Sequence, residues 1–322
     1  MNATLKFSLL SLLLVFAAVT WGQDYPKRSV RVVAPFAPGG ATDVLARLVS
    51  QKLAERWGQN VMVDNRVGAG GHIGADYAAK SAPDGYTLLV AGTPHAIGAS
   101  LYRKLSYDMV RDLAPINRFA TYPSAIAVHP SLPVKTVKEL IVLAKTHPDE
   151  LNFGSAGSGS PNHLAMELFK TMAKVKMVHI PYKGGSGQMV VDLLAGQVQL
   201  ASIGLPPAMP FVKSGKLRVL AVTGAARSPL MPEAPTVSEA GLPGFDVTSW
   251  YGMFAPAGLP RDLLMKLNAD IAAVLTTADM EQRLASLGAD PAPLSPEDFG
   301  RFVREEIAKW AKVVKESGAK VD

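Results

Sequence analysis

The sequence predicts an α/β protein built as two lobes, and two observations predict it. Short β-rich runs alternate with helical stretches, and this pattern stops and starts afresh near Ser124. A glycine-rich turn also stands between a strand and a helix in each half: Pro38-Gly39-Gly40 in the first, Gly157-Ser158-Gly159-Ser160 in the second.

In the first half, 30–35 (VRVVAP) reads as an apolar strand and 41–56 has helical spacing. A second strand follows at 60–64, a helix at 73–81 and a third strand at 87–91 (TLLVA). In the second half the strands are 125–128, 151–154, 178–181, 200–203 and 217–223, with helices at 136–145, 161–172 and 188–194. A strand at 248–255 (TSWYGMFA) precedes three helices, the last opening on Ser295-Pro296-Glu297-Asp298. That order gives a cap, a first-turn proline and acidic first-turn residues. The final helices have no strands of their own to cover, so they are expected to pack back on the first lobe. The second lobe then becomes an insertion, with crossings near 121–127 and 246–254. The expected division is 23–124 with 248–322 as lobe 1, and 125–247 as lobe 2.

Residues 1–22 read as a secretory signal peptide. Lys6 supplies the positive start, 7–19 is an apolar run broken only by Ser8 and Ser11, and Thr20 and Gly22 are small residues before a cut at Gln23. The run is shorter than the roughly 20 apolar residues of a membrane-spanning helix. The expectation is an exported chain, free in the periplasm. Cleavage leaves 300 of the 322 residues, enough for two lobes of ordinary size. Of 33 Lys+Arg and 27 Asp+Glu, only Lys6 lies in the segment, so the formal net charge falls from +6 to +5. A mildly basic protein suits anionic small molecules. The basic residues form no run, which speaks against nucleic acid. Cysteine is absent. That excludes disulfides, thiolate metal sites, a cysteine nucleophile and an acylated cysteine anchor.

Three loops could carry chemistry. Phe36-Ala37-Pro38-Gly39-Gly40-Ala41-Thr42-Asp43 joins a buried strand to a helix at the carboxyl edge of a sheet, where open α/β sheets bind ligands. Its glycines let backbone N–H groups converge on an anion, and the helix dipole favours negative charge there. An ordinary βα turn would use the same glycines for tight geometry. Asp43 suits either a ligand contact or a charge on the first helix turn. The second loop, 154–163, offers Ser155, Gly157, Ser158, Gly159 and Ser160 as backbone and hydroxyl donors, followed by His163. The third runs from Tyr182 through Lys183 and Gly184 to Gly187. Two such helix starts facing each other from different lobes would form a pincer.

Enzyme signatures are weaker. No G-x-S-x-G elbow is present, because Gly184-Gly185-Ser186-Gly187 is followed by Gln188. Gly68-Ala69-Gly70-Gly71-His72-Ile73-Gly74 only approaches a dinucleotide fingerprint, and no acidic residue ends a following strand to hold a ribose. The six histidines form no H-x-x-x-H pair, so no metal site is expected. His95 and His163 lie on candidate cleft segments and are kept as ligand contacts. Trp250-Tyr251 suits the cleft lining or a core and hinge role.

The blocks VRVVAPFAPGGATDVLARLV, DNRVGAGGHIGADYAAKSAPDGYTLLVAG, GSAGSGSPNHLAMELFK, VHIPYKGGSGQMVVDLLAGQVQ, GKLRVLAVTGAARSP, APTVSEAGLPGF and SWYGMFAPAGLP resemble the Bug family over nearly the whole chain after the signal segment. These are periplasmic solute receptors of tripartite tricarboxylate transporters. The resemblance implies a type II periplasmic-binding-protein fold that closes on its ligand like a flytrap. It implies a ligand carboxylate held between Pro38, Gly39, Gly40 and Asp43 on one side and 155–160 on the other. The far end of the ligand would be read by Phe36, His95, Tyr182 and the 200–207 loop. Many members carry an acidic residue where this chain has Ser202-Ile203-Gly204. Its absence disfavours an amine-bearing ligand and favours a di- or tricarboxylate or an aromatic acid.

The sequence therefore reads as a monomeric carboxylate-binding receptor, without cofactor or catalysis, that serves large and small membrane transporter subunits. The rivals are an α/β enzyme acting on a small organic acid and a sensor subunit that presents its ligand to a membrane kinase.

Overall fold

The computed structural model describes residues 25–182 and 186–320. The signal-peptide reading and Gly184 lie outside them. In the first stretch of chain, β1 (Val30–Ala34), α1 (Ala41–Trp57), β2 (Val61–Asn65), α2 (His72–Ala79), β3 (Thr87–Gly92), α3 (Thr93–Leu101) and β4 (Leu113–Tyr122) follow one another. Then come β5 (Ser124–Val128), α4 (Val137–Thr146), β6 (Asn152–Ser155), α5 (Pro161–Ala173), β7 (Val178–Pro181), α6 (Ser186–Leu194), β8 (Leu200–Gly204), α7 (Leu205–Lys213) and β9 (Arg218–Val222). The chain ends with β10 (Ser249–Pro256), α8 (Arg261–Leu275), α9 (Ala278–Leu287), the two-residue β11 (Asp290–Pro291) and α10 (Pro296–Ser317).

These strands make two sheets. The first has the order β11-β4-β10-β3-β1-β2, the second β7-β6-β8-β5-β9. Strand β1 is parallel to both β2 and β3, and β6 is parallel to both β7 and β8. Their following loops therefore gather at one carboxyl edge per sheet, which is what positions the site. Both faces of the first sheet are covered. Val30, Val32 and Ala34 pack with α1, α8 and α9, whereas Val33 on the opposite face packs with α2, α3 and α10. A strand buried on both sides is largely apolar, which is why VRVVA, with only Arg31 partly exposed, reads so clearly.

The chain leaves the first sheet through Pro123, between β4 and β5, and returns between Val247 and β10. The two passages run side by side. Ser249 pairs with Tyr122, Thr223 N–H donates to Ser124 O at 2.8 Å, and Val247 N–H donates to Thr223 O at 2.8 Å. The Thr223 hydroxyl, fully buried, reaches both Val247 O (2.7 Å) and Ser124 O (3.1 Å) and pins the passages together.

Helix α10 starts as its sequence signals: Ser295 Oγ accepts the Asp298 N–H at 3.1 Å, with Pro296 in the first turn. It packs on α3 of the first sheet and on α5 of the second, so one apolar core runs from Phe254, Phe299 and Trp310 to Phe153, Leu164 and Phe169. Trp250 is wholly buried in it and donates Nε1–H to Glu306 at 2.9 Å. Its role is packing and not cleft lining. The segment 200–207 is not a loop: it comprises β8 and the first turn of α7.

Candidate binding cleft

Residues Ala37 to Ala41 are exposed at the end of β1, with Phe36 half-buried behind them. No side chain caps α1, whose N-cap is Gly40. Its first-turn amides are therefore open donors, the situation in which helix termini attract anions. Gly39 adopts φ +83°, a left-handed conformation that a side chain disfavours. This turns its N–H onto Asp43 Oδ2 at 2.9 Å.

Asp43 is only 3% exposed, and its acceptors are occupied. Arg47 Nε bonds Oδ2 at 3.0 Å and Arg47 Nη2 lies 3.0 Å from Oδ1. Asn65 Nδ2 donates to Oδ1 at 2.8 Å and to Phe36 O at 3.0 Å. Burial works against its charge, but the bonds from Arg47, Gly39 and Asn65 prevail and hold the carboxyl below its ordinary value. Of the two roles open in the sequence, the structure places Asp43 inside the loop's own bonding.

His95 lies in the first turn of α3 and is 1% exposed. Its Nδ1 accepts the Gly92 N–H at 3.2 Å, while Nε2 has no partner among the described residues. Phe36 meets it edge-on with centroids 6.0 Å apart, and His72 lies 5.5 Å away on its other side. Burial lowers the pKa of His95 to about 3 and that of His72 to about 4. The glycine-rich stretch at 68–74 serves this packing. A Cβ at Gly71 would stand 3.0 Å from both His95 Nε2 and Phe36 Cζ.

The second sheet presents the 155–160 loop between β6 and α5. Ser155 is buried, and its Oγ accepts the Gly157 N–H at 3.1 Å and lies 2.6 Å from His179 Nε2. Ser160 caps α5, taking the His163 N–H at 3.3 Å. Gly159, at φ +78°, gives its N–H to His163 Nδ1 at 3.0 Å. Ser158 is half-buried, and among the described residues its hydroxyl has no partner. A Cβ at Gly159 would land 2.1 Å from Leu101 Cδ2, so this loop touches the end of α3 from the first sheet. Tyr182 is half-buried and directs its hydroxyl to Asp192 Oδ2 at 2.9 Å. Burial and that carboxylate push its pKa up to about 12.

The sequence reading missed Arg47, Asn65, His179 and Glu167, which act behind the loops. One signal was available. A glycine just before each helix is followed four residues later by an acceptor, Asp43 or His163.

Two open α/β sheets, joined by adjacent crossing strands and each carrying a glycine-rich helix start at its carboxyl edge, define the two-lobe class of solute-binding receptors. Residues 45–319 match the family described as the tripartite tricarboxylate transporter family receptor. The chain is 38% identical over 307 residues to protein BugT of Bordetella pertussis, covering 95% of this chain and 94% of BugT. It is similar to an R. palustris protein solved with adipate, at 42% identity and TM-score 0.80, covering 93% of this chain and all of that one. MatC from Rhodopseudomonas palustris with bound malate is 35% identical at TM-score 0.75, with 90% of this chain and all of MatC covered. The chain belongs to the tripartite tricarboxylate transporter receptor family, and the resemblance to its Bug members is borne out.

Proposed function

We propose that the chain is a periplasmic receptor that captures a small di- or tricarboxylate, or an aromatic acid, and presents it to the large and small membrane subunits of a transporter. It acts as an exported monomer after loss of residues 1–22, without catalysis. Residues 23–124 with 248–322 form one lobe and 125–247 the other, closing about the paired passages pinned by Thr223. One ligand carboxylate is held between the Pro38-Gly39-Gly40 turn and the Ser155–Ser160 loop, with Phe36, His95 and Tyr182 behind. Gly184, in the third glycine-rich segment of the sequence, is a further proposed contact.

The observation that carries this reading is the pair of helix starts, one per sheet. The α1 terminus is uncapped and exposed, and the second loop offers a Ser158 hydroxyl that has no partner among the described residues. Neither the 36–43 segment nor the 154–163 segment contains Lys or Arg. The adipate and malate in related structures support the same ligand class. Charge-assisted hydrogen bonds contribute about 1.5–3 kcal/mol each, so three or four reach the roughly 8 kcal/mol of micromolar binding after ordering costs.

A thermal-shift screen against carboxylates, adipate and malate included, tests it. A ligand at about 100 times its dissociation constant adds about 2.7 kcal/mol to unfolding stability. No shift with any acid overturns the reading. Gly40→Val sharpens the test, because a Cβ there meets only Ala37 O at 3.4 Å and the fold tolerates it. That variant is expected to lose at least about tenfold in affinity by calorimetry.

A further inference from the structure

Behind the second loop stands a group of rings that direct ligand contact does not use. His163 and His179 lie face to face, centroids 3.8 Å apart and planes 15° apart, and Phe153 continues the stack 5.0 Å from His179. Each imidazole serves one loop glycine. His163 Nδ1 accepts from Gly159, and a ring nitrogen that accepts carries no proton. The proton of the neutral ring is therefore on Nε2, which faces Glu167 Oε1 at 3.5 Å. His179 acts at one remove, through Ser155 Oγ, which holds the Gly157 N–H.

We propose that the stacked His163–His179 pair is the positioning element of the binding cleft: it fixes the direction in which the Gly157–Ser160 loop presents its donors to the ligand. This rests on the carboxylate reading and assigns within it a role that is not ligand contact. His163 is 5% exposed, its Nδ1 is taken by Gly159 and its Nε2 is turned to Glu167, so it has no donor to offer the cleft. What it offers is a fixed Gly159. That residue sits in the left-handed region against Leu101, and the amide and hydroxyl of Ser158 precede it directly.

Gly159 needs a bare Nδ1 lone pair to donate to. Glu167, which faces Nε2, is itself tied to Lys170 at 2.7 Å, and Lys170 stands 5.4 Å from the Phe153 ring centroid. His179 itself stays neutral. Burial, then the His163 and Lys170 charges working against Glu167, lower its pKa to about 4.

Two substitutions separate positioning from packing. His163→Phe keeps a ring in the stack and removes the acceptor, whereas His163→Asn returns an acceptor near the place of Nδ1. With adipate and malate as probes, titration calorimetry is expected to show His163→Phe weakened about tenfold and His163→Asn within about threefold of the parent. Parent-like binding by His163→Phe, or equal weakening of both variants, overturns the role.

A ligand-free measurement covers the case in which a variant misfolds. Long-range ¹H–¹⁵N spectra of the full exported chain are expected to show the Nε2-protonated tautomer at His163 and a slowly exchanging Gly159 amide. The Nδ1-protonated tautomer overturns the brace. If the parent binds neither probe, the carboxylate reading is what fails, and the tautomer still decides the brace.

Discussion

The two cleft loops use one local device with different chemistry. In each, a left-handed glycine lies two residues before the helix, at Gly39 before α1 and Gly159 before α5, and gives its N–H to the side chain four residues on. The first acceptor is the Asp43 carboxylate, paired with Arg47 and hydrogen-bonded by Asn65. The second is the His163 imidazole, stacked on His179. The helix that follows is uncapped in the first lobe and capped by Ser160 in the second. The first lobe thus offers open helix amides on a carboxylate brace. The second offers loop donors on a brace of stacked imidazoles.

The largest expected effect breaks the first brace. Asp43→Ala leaves Gly39, Asn65 and Arg47 without their shared acceptor and should lower unfolding free energy by about 3 kcal/mol in urea titrations. Because the folded pKa lies below the unfolded one, this stabilisation is present above about pH 4 and lost as pH falls through the folded value. Asp43→Asn should flatten that acid limb, and an unchanged limb would show that Asp43 is not the group responsible.

Next in size is an asymmetry between the lobes on acidification. His72, His95 and His179 have folded pKa values of about 4, 3 and 4, lowered chiefly by burial. Each stabilises the fold fully above the unfolded value near 6.5 and loses that contribution as pH falls toward its folded value. From pH 7 to pH 5 each should cost about 2 kcal/mol. Two of the three sit in the first lobe, so hydrogen exchange at pH 5 should show its amides losing more protection than those of β5 to β9. Equal loss would contradict the asymmetry.

Smaller effects separate the serines of the second loop. Ser160→Ala removes a helix cap and should lower stability by about 1 kcal/mol with little change in affinity. Ser158→Ala removes a hydroxyl that has no partner among the described residues. It should leave the melting curve alone and weaken carboxylate binding about three- to tenfold. The smallest effect is expected at Lys183, where Lys183→Met should keep affinity within about threefold if neutral donors hold the ligand. Abolished binding in that variant, with normal binding by Ser158→Ala, would point to an ion pair instead.

Much of this architecture was legible in the residues. Apolar runs such as VRVVA and TLLVA named their own strands, and Ser295-Pro296 marked the start of α10. Other elements were hidden for identifiable reasons. The β4 sequence LAPINRFATY contains Pro115 and Arg118, and its partner β10 lies far along the chain. The α7 sequence LPPAMPFVK reads as a loop, yet Pro206 and Pro207 occupy the first turn, where a missing N–H costs nothing. Only Pro210 forfeits a helical bond. In α3, TPHAIGASL has no polar face to mark it, because most of it is buried. At the site, the glycine loops were found but their braces were not. Asn65 reaches Asp43 from another strand, and His179 reaches Ser155 from β7, so only tertiary structure brings them there.

The position of β10 has a consequence for how the molecule assembles. It lies between β4 and β3 in the first sheet, although it is made long after both. Before residues 249–256 exist, β3 lacks the neighbour on its β10 side and β4 has no strand to pair with at all, since its other partner is β11. All five strands of the second sheet, by contrast, come from one continuous segment, 124–222. Loop closure delays pairings between distant segments. The inserted lobe should therefore mature first and hold the ends of the first lobe together, so that β10 closes a gap already narrowed. Pulse-labelled hydrogen exchange during refolding should protect amides of β5 to β9 before those of β3 and β4, and simultaneous protection would refute that order. On this view the younger half of the first lobe does not extend an existing sheet; it arrives as the keystone.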